Sequence, residues 1–112
     1  MMRMLPLYGG MAGVLFAIAV GDAQTERGHG NAAAGRAFAL QVCTPCHVVS
    51  RDQLSPPRFA VGPTFDAIAN DATTTPSGLH AFLSTPHPTM PNLILTRGEQ
   101  RNIIAYIMSL KR

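Results

Sequence analysis

The 112-residue sequence contains two cysteines and no tryptophan. The cysteines, Cys43 and Cys46, lie three residues apart, so no other cysteine remains to build the disulfide framework that staples many small secreted domains. Charged residues make up 13% of the chain, and the basic ones are scattered. A nucleic-acid-binding protein needs a basic stripe or patch, which this sequence lacks. After residue 24, no apolar run approaches the ~20 residues that cross a bilayer.

The segment 1–23 is predicted to be a secretory signal peptide. Arg3 is the only charge before residue 22, and an apolar stretch follows it. Small residues at Gly21 and Ala23 suit cleavage after Ala23, with cleavage after Gly21 as an alternative. A retained anchor is the other alternative, but the uncharged stretch 4–20 is shorter than the ~20 residues of a spanning helix. We therefore expect a signal peptide, 1–23, and one domain, 24–112.

Both cysteines belong to the run Cys43-Thr44-Pro45-Cys46-His47, which is the attachment pattern of c-type haem. Residues three apart on a helical turn face the same side, so both thiols can reach the vinyl groups of one haem. His47 follows at once, and this position makes its imidazole a candidate axial ligand of the iron. The alternatives are a dithiol redox motif, which needs a βαβ context, and a zinc site, which needs four ligands.

A second iron ligand is predicted in the segment 86–92. Met90 lies there between two prolines that stiffen the backbone, whereas Met108 occupies an ordinary packing position on a predicted helix. A His/Met ligand pair raises the reduction potential of a haem and suits electron transfer. His87 is an alternative ligand, and His80 is expected on the surface. An open or water-bound sixth position is the remaining alternative.

Periodicity and capping signals predict four helices and no strand, and therefore an all-α fold. The loops are long for so small a domain, and a central cofactor around which they wrap would explain their length. The predicted helices are residues 31–42 with Asn31 as N-cap, 63–70 beginning at Pro63, 75–84 beginning at Thr75-Pro76, and a last helix introduced by the capping box of Thr96 and Glu99.

The chain resembles the class I cytochromes c, specifically the small, secreted bacterial proteins that carry a single haem. This resemblance implies the cytochrome c fold, in which short helices and long loops wrap around one covalently attached haem c. The resemblance covers about residues 31–112 and rests on four segments in order: Gly35 and Ala39 before the Cys43–His47 run, Gly62-Pro63-Thr64-Phe65, the stretch from Pro86 to Leu93, and the stretch from Ala105 to Leu110.

The resemblance implies further roles. The carbonyl of Pro63 would accept a hydrogen bond from His47 and fix its imidazole. Gly35 and Ala39 would let the first helix cross the last closely, near Tyr106. The expected pocket residues are Phe38, Phe65, Leu79, Phe82, Leu93 and Ile103.

Without a tryptophan, a haem propionate needs another donor. Arg58 is one candidate, although a solvated loop arginine is the simpler interpretation of this residue.

The implied function is one-electron transfer in the periplasm by a protein that is not an enzyme. The expected partners are a redox donor and acceptor, such as a dehydrogenase, a cytochrome complex or an oxidase. The protein is expected to be a monomer with no nucleic-acid partner. It is expected to have no membrane span after signal removal. A mildly basic surface would favour an acidic partner, although solubility explains the charge equally well. The alternatives are a haem subunit bound tightly to a periplasmic dehydrogenase, and a gas-sensing or peroxidase-like protein with a displaceable sixth ligand.

Overall fold

The computed structural model describes residues 9, 13, 29–59, 61–86, 88–91 and 93–112. Within these residues there are helices and no strand, which confirms the all-α prediction. No helix in this part of the chain is long and apolar enough to cross a membrane. The predicted signal peptide lies outside the described residues, apart from two isolated glycines, and stays a prediction. The helices are α1 (Ala32–Val42), α2 (Phe65–Asn70), α3 (Pro76–Ser84) and α4 (Arg97–Ser109).

Three helices begin where capping chemistry predicts. The side chains of Asn31 and Thr75 accept hydrogen bonds from the backbone N–H three residues further on, at 2.8 and 3.0 Å. Thr96 and Glu99 form a reciprocal capping box, with N–H to side-chain distances of 3.2 and 2.7 Å. These contacts are local, so α1, α3 and α4 begin at the positions that the sequence indicates.

The predicted start of the second helix at Pro63 is wrong. The helix begins at Phe65, because Thr64 is its N-cap and accepts a hydrogen bond from the N–H of Ala67 at 3.0 Å. An N-cap residue has extended backbone dihedral angles, and Thr64 has φ −67° and ψ 149°. Pro63 therefore lies before the helix, and its carbonyl is available to a donor elsewhere in the structure.

Helices α1 and α4 cross at a glycine. A Cβ atom on Gly35 would overlap the backbone carbonyl of Asn102, so only glycine permits this approach. The backbone N–H of Asn31 also donates to the side chain of Asn102 at 2.8 Å. This close approach lies one turn before Tyr106, where the sequence placed it. The two longest helices thus form a fixed frame for the rest of the chain.

The buried core joins this frame to α2 and to the segment that follows His47. The hydroxyl of Tyr106 donates to the carbonyl of Val49 at 2.7 Å, and the N–H of Val49 donates to the side chain of Gln53 at 2.9 Å. Buried polar groups need such partners, so these bonds fix the segment against α4. The buried apolar residues are Ala39, Val49, Phe65, Ala69, Ile103, Tyr106 and Ile107.

An ionic network ties the end of α4 to α2. Arg51 Nε donates to Asp66 at 2.6 Å, and Arg112 donates to the other carboxylate oxygen at 2.6 Å. Arg51 also donates to the carbonyl of Leu110 at 2.7 Å. The hydrogen bond from Arg51 is the main reason that the pKa of Asp66 lies below its usual value.

Candidate haem site

All four helices contribute to one cavity of about 480 Å³. This volume falls within the range of roughly 300–1,000 Å³ that is usual for small-molecule sites. The residues predicted as covalent, axial and supporting contacts all line it: Cys43, Cys46, His47, Pro63, Phe65, Met90 and Leu93. The other expected pocket residues line it too: Phe38, Leu79, Phe82 and Ile103.

The described lining is apolar with a few hydroxyl groups, and no aspartate, glutamate, lysine or arginine belongs to it. Three consecutive threonines, 73–75, line the cavity where α2 gives way to α3, and Thr89 lines it beside Met90. This composition suits a cofactor that has a large apolar ring and a small number of polar substituents. A haem fits that description.

His47 is held in one tautomer. Its Nδ1 donates to the carbonyl of Pro63 over 2.6 Å. Because a carbonyl oxygen only accepts hydrogen bonds, Nδ1 carries a proton, and in the neutral ring the lone pair is then on Nε2. A histidine whose other ring nitrogen is fixed in this way is oriented to bind a metal through Nε2.

Residues 59 and 61–65 lie beside the cysteine-containing turn, and three of them are hydrogen-bonded to residues 45–48. These bonds place Pro63 opposite His47 and connect the turn to the start of α2. The three backbone hydrogen bonds are Phe59 N–H to Pro45 C=O at 2.9 Å, Gly62 N–H to Cys46 C=O at 3.1 Å, and Phe65 N–H to Val48 C=O at 2.9 Å.

Gly62 is a site residue to which the sequence reasoning assigned no role. A Cβ atom at this position would overlap the imidazole of His47. The glycine therefore lets the backbone approach one face of the ring. Gly62 directly precedes Pro63 in one of the segments on which the family resemblance rests, and this position was the one indication of a role. Neither residue indicates by itself that the ring of His47 would lie against Gly62.

The cysteine chemistry disfavours a dithiol redox motif. Burial raises the pKa of Cys43 to about 11, whereas a reactive redox cysteine has a lowered pKa. Within the described part of the chain, no three His, Cys, Asp or Glu side chains gather in a group that could hold a metal ion. The zinc alternative therefore gains no support from the structure.

The alternative ligands are placed differently from Met90. Met90 is half-buried and lines the cavity, whereas Met108 is half-buried but does not line it. His80 is exposed on α3 and also does not line the cavity. His87 lies outside the described residues. Arg58 is not part of the lining, and its guanidinium lies 5.6 Å from the ring centroid of Phe59 in a cation–π contact.

Comparison with known proteins places the chain in a family. The chain is 33% identical to cytochrome c-552 from Bradyrhizobium diazoefficiens over 101 residues, which cover 90% of this chain and 95% of the relative. No family model matches the chain, and no solved structure does. The all-helical fold and the relative together show that the chain belongs to the class I cytochromes c. Haem binding and electron transport are the properties of that family.

Proposed function

We propose that the protein is a periplasmic one-electron carrier with one covalently attached haem c, held by Cys43 and Cys46 and ligated by His47 and Met90. One observation carries the proposal. The two thiols, the imidazole and the thioether line a single apolar cavity, although Met90 and His47 lie in distant parts of the sequence.

The donor set suits a haem in three respects. The two cysteines supply the thiols that a C-x-x-C-H run uses for thioether bonds. The Nε2 lone pair of His47 is left free by the hydrogen bond from Nδ1 to Pro63. The sulfur of Met90 is a soft donor that favours the reduced metal. When bound, the haem iron supplies a reversible ferric/ferrous couple.

The surrounding residues influence the reduction potential of this couple in two ways, since they orient the imidazole of His47 and keep water out of the cavity. Pro63 fixes the imidazole and raises its basicity, and the absence of a side chain at Gly62 leaves room for the ring. The apolar lining keeps the dielectric low, which is one of the means by which a protein sets a haem potential. The hydroxyl groups of Thr74 and Thr75 are candidate donors for the polar edge of the cofactor, whereas that of Thr73 donates to Asp71 at 2.6 Å.

A carrier is favoured over a sensor or peroxidase because Met90 lines the same cavity as His47. If Met90 bound the iron in the sixth position, its thioether would leave no open coordination site for a substrate. Export to the periplasm is supported by the leader-like sequence of the segment 1–23. We propose a redox donor and acceptor as partners, such as a dehydrogenase, a cytochrome complex or an oxidase, with the protein acting as a monomer.

The decisive experiment is an absorption spectrum of protein exported together with haem-maturation factors. The sample is measured oxidised, then reduced with dithionite, then exposed to carbon monoxide. We expect sharp low-spin ferrous bands, a weak far-red methionine–iron band in the ferric state, and no response to carbon monoxide. A high-spin spectrum with rapid carbon monoxide binding would contradict ligation by Met90 and favour sensing or peroxidase chemistry. A colourless product from a strain that matures a control cytochrome would contradict haem attachment.

Intact-mass spectrometry of the periplasmic fraction tests two further parts of the proposal, and co-purification tests a third. The expected mass is that of residues 24–112 plus one haem. A mass that retains the segment 1–23 would contradict cleavage after Ala23, and a different number of haems would contradict a single site. Co-purification of a dehydrogenase at fixed stoichiometry would identify a bound subunit instead of a free carrier.

A further inference from the structure

The segment that carries Met90 is anchored at its two ends. It connects Ser84, the last residue of α3, to Thr96, the N-cap of α4. Among the residues that the structure describes, none of 88–91 or 93–95 makes a hydrogen bond. The position of Met90 therefore depends on how firmly the end of α3 is held against the start of α4.

One side-chain hydrogen bond joins these two ends. The hydroxyl of Ser84 donates to Oε1 of Gln100, near the start of α4, over 3.3 Å. Gln100 is only 8% exposed, although glutamine is usually found at the surface. Within the described part of the chain, Ser84 is the only partner of the Gln100 side chain. Separation of the two ends would leave the buried Oε1 without this partner, which is unfavourable.

Packing alone leaves the side chain of Met90 room to move. Leu83 and Leu95 pack against the core at the two ends of the segment, but apolar contacts are not directional. A second cavity of about 160 Å³ is lined by both Ser84 and Met90. Close-packed protein interiors hold few voids larger than a water molecule, so close packing does not confine Met90 on this side. A hydrogen bond that specifies one arrangement of the segment ends supplies what packing does not.

We propose that Gln100, acting through Ser84, is a positioning residue that holds Met90 at the sixth coordination position of the iron. The inference rests on the proposed ligation by Met90. Gln100 does not line the larger cavity, so it acts on the iron only through the segment that it closes. Local opening of a segment costs less when one of its closing contacts is lost. Loss of the bond between Gln100 and Ser84 therefore raises the population of molecules in which Met90 has left the iron.

The test is competition between Met90 and cyanide for the ferric iron of the holoprotein. Cyanide binds only to molecules in which Met90 has left the iron, so its apparent affinity is the intrinsic affinity reduced by the fraction of such molecules. Disappearance of the far-red methionine–iron band measures the binding. We expect Ser84→Ala to raise the apparent affinity about fivefold, which is the equilibrium effect of one ordinary hydrogen bond. Ser84→Thr keeps a hydroxyl and should stay within about twofold of the parent protein.

Two further variants separate positioning from general stability. Gln100→Leu fills the buried space with an apolar group, and we expect the same rise in cyanide affinity, with no further rise when it is combined with Ser84→Ala. Asn70→Ala is the control, because Asn70 also joins two helices but bonds to Leu110 and Arg112 at the other end of α4, at 3.3 and 2.8 Å. It lines neither cavity. We expect Asn70→Ala to lower the denaturant midpoint and to leave the cyanide affinity within about twofold of the parent.

Several results would overturn the proposal. Unchanged cyanide affinity in Ser84→Ala and Gln100→Leu would show that the pair does not hold the segment. An equal rise in Asn70→Ala would reduce the pair to a general stabilising contact, and additive effects in the double variant would show that the two residues do not act through their mutual bond. Met90→Ala, measured in the same assay, identifies a failure of the ligation itself. A parent protein that lacks the far-red band and binds cyanide as tightly as Met90→Ala would contradict ligation by Met90, and the positioning role with it.

Discussion

The two sides of the cavity are held in different ways. On the histidine side, Nδ1 of His47 is bonded to Pro63, and three backbone hydrogen bonds join residues 45–48 to Phe59, Gly62 and Phe65. On the methionine side, among the residues that the structure describes, none of 88–91 or 93–95 makes a hydrogen bond. Met90 is placed there by flanking prolines and by apolar contacts around the cavity.

This difference distinguishes two ways in which the side chains of a cofactor site are fixed in position. Hydrogen bonds within the polypeptide orient His47 without help from a ligand, so its geometry is a property of the chain. The geometry of Met90 depends on restricted backbone angles and on packing, and a bond to iron would add to both. We therefore expect substitutions on the histidine side to affect assembly, and substitutions on the methionine side to affect the spectrum and potential of an assembled protein.

The largest effect is expected from His47→Ala. Loss of the imidazole removes the proposed axial ligand on the ordered side, and we expect almost no mature low-spin holoprotein. The yield of periplasmic haem protein, measured by absorbance and by haem staining, is the readout. His80→Ala is the matched control, because His80 is exposed and does not line the cavity. A normal yield of low-spin His47→Ala protein would show that another residue is the ligand.

Met90→Ala should leave the haem attached but open the sixth position. We expect the far-red ferric band to disappear, carbon monoxide to bind, and the reduction potential to fall by on the order of 0.1 V, since axial ligands set haem potentials over about 0.8 V.

Met108→Ala is the control for this change, since Met108 is a half-buried methionine outside the cavity lining. Its spectrum and potential should match those of the parent protein. If Met90→Ala behaves in the same way as this control, the methionine side is held by another ligand.

Gly62→Ala tests how tightly the histidine side is packed. The new methyl group would overlap the imidazole of His47. Overpacking of this kind typically lowers the free energy of unfolding by about 1–3 kcal/mol. Denaturant unfolding followed by circular dichroism measures the change, and the potential should also shift because the imidazole must move.

Gly98→Ala provides the comparison. Its Cβ atom would meet only the Thr96 hydroxyl, at 4.0 Å, within a helix. Alanine is the better helix former, so we expect stabilisation of up to about 1 kcal/mol. An equal destabilisation by both substitutions would argue against a specific contact between Gly62 and the ring.

The smallest effect is expected at Asp66, behind the histidine side. Its pKa is lowered in the folded protein, chiefly by the hydrogen bond from Arg51. A lowered pKa stabilises the fold fully above the unfolded-state pKa of about 3.9, and this stabilisation is lost as the pH falls through the folded value. We therefore expect Asp66→Asn to melt below the parent protein at pH 7 and to converge with it near pH 2. A difference in melting temperature that stays constant over this range would contradict the ionic contribution.

Local features of the fold were predictable from the sequence, and features that depend on distant residues were not. Asn31, Thr75 and Thr96 were identified as caps because each bonds to a residue three positions away. Pro63 was misassigned as a helix start because proline suits both the first helical turn and the extended segment before an N-cap. Its neighbour Thr64 decided between these two conformations.

At the candidate site, too, local features were predictable from the sequence and features that depend on distant residues were not. The Cys43–His47 run was recognisable because its chemistry is contained in five consecutive residues. The close approach of Gly62 to the His47 ring was not recognisable, because it depends on how residues 61–65 lie beside the turn. The interpretation of Arg58 as a propionate partner was not supported for a similar reason, since its position against Phe59 is set by the course of a long loop.

By itself, the sequence determined three of the four helix N-caps, the attachment motif and the identity of the candidate ligands, because these follow from residue chemistry over a few positions. Only the tertiary structure decided that Met90 and Leu93 share a cavity with His47 and that its described lining has no Asp, Glu, Lys or Arg. Both results depend on the crossing of α1 and α4 at Gly35 and on the loops that this crossing positions. Contacts between residues tens of positions apart arise when the chain packs, and no short pattern specifies them.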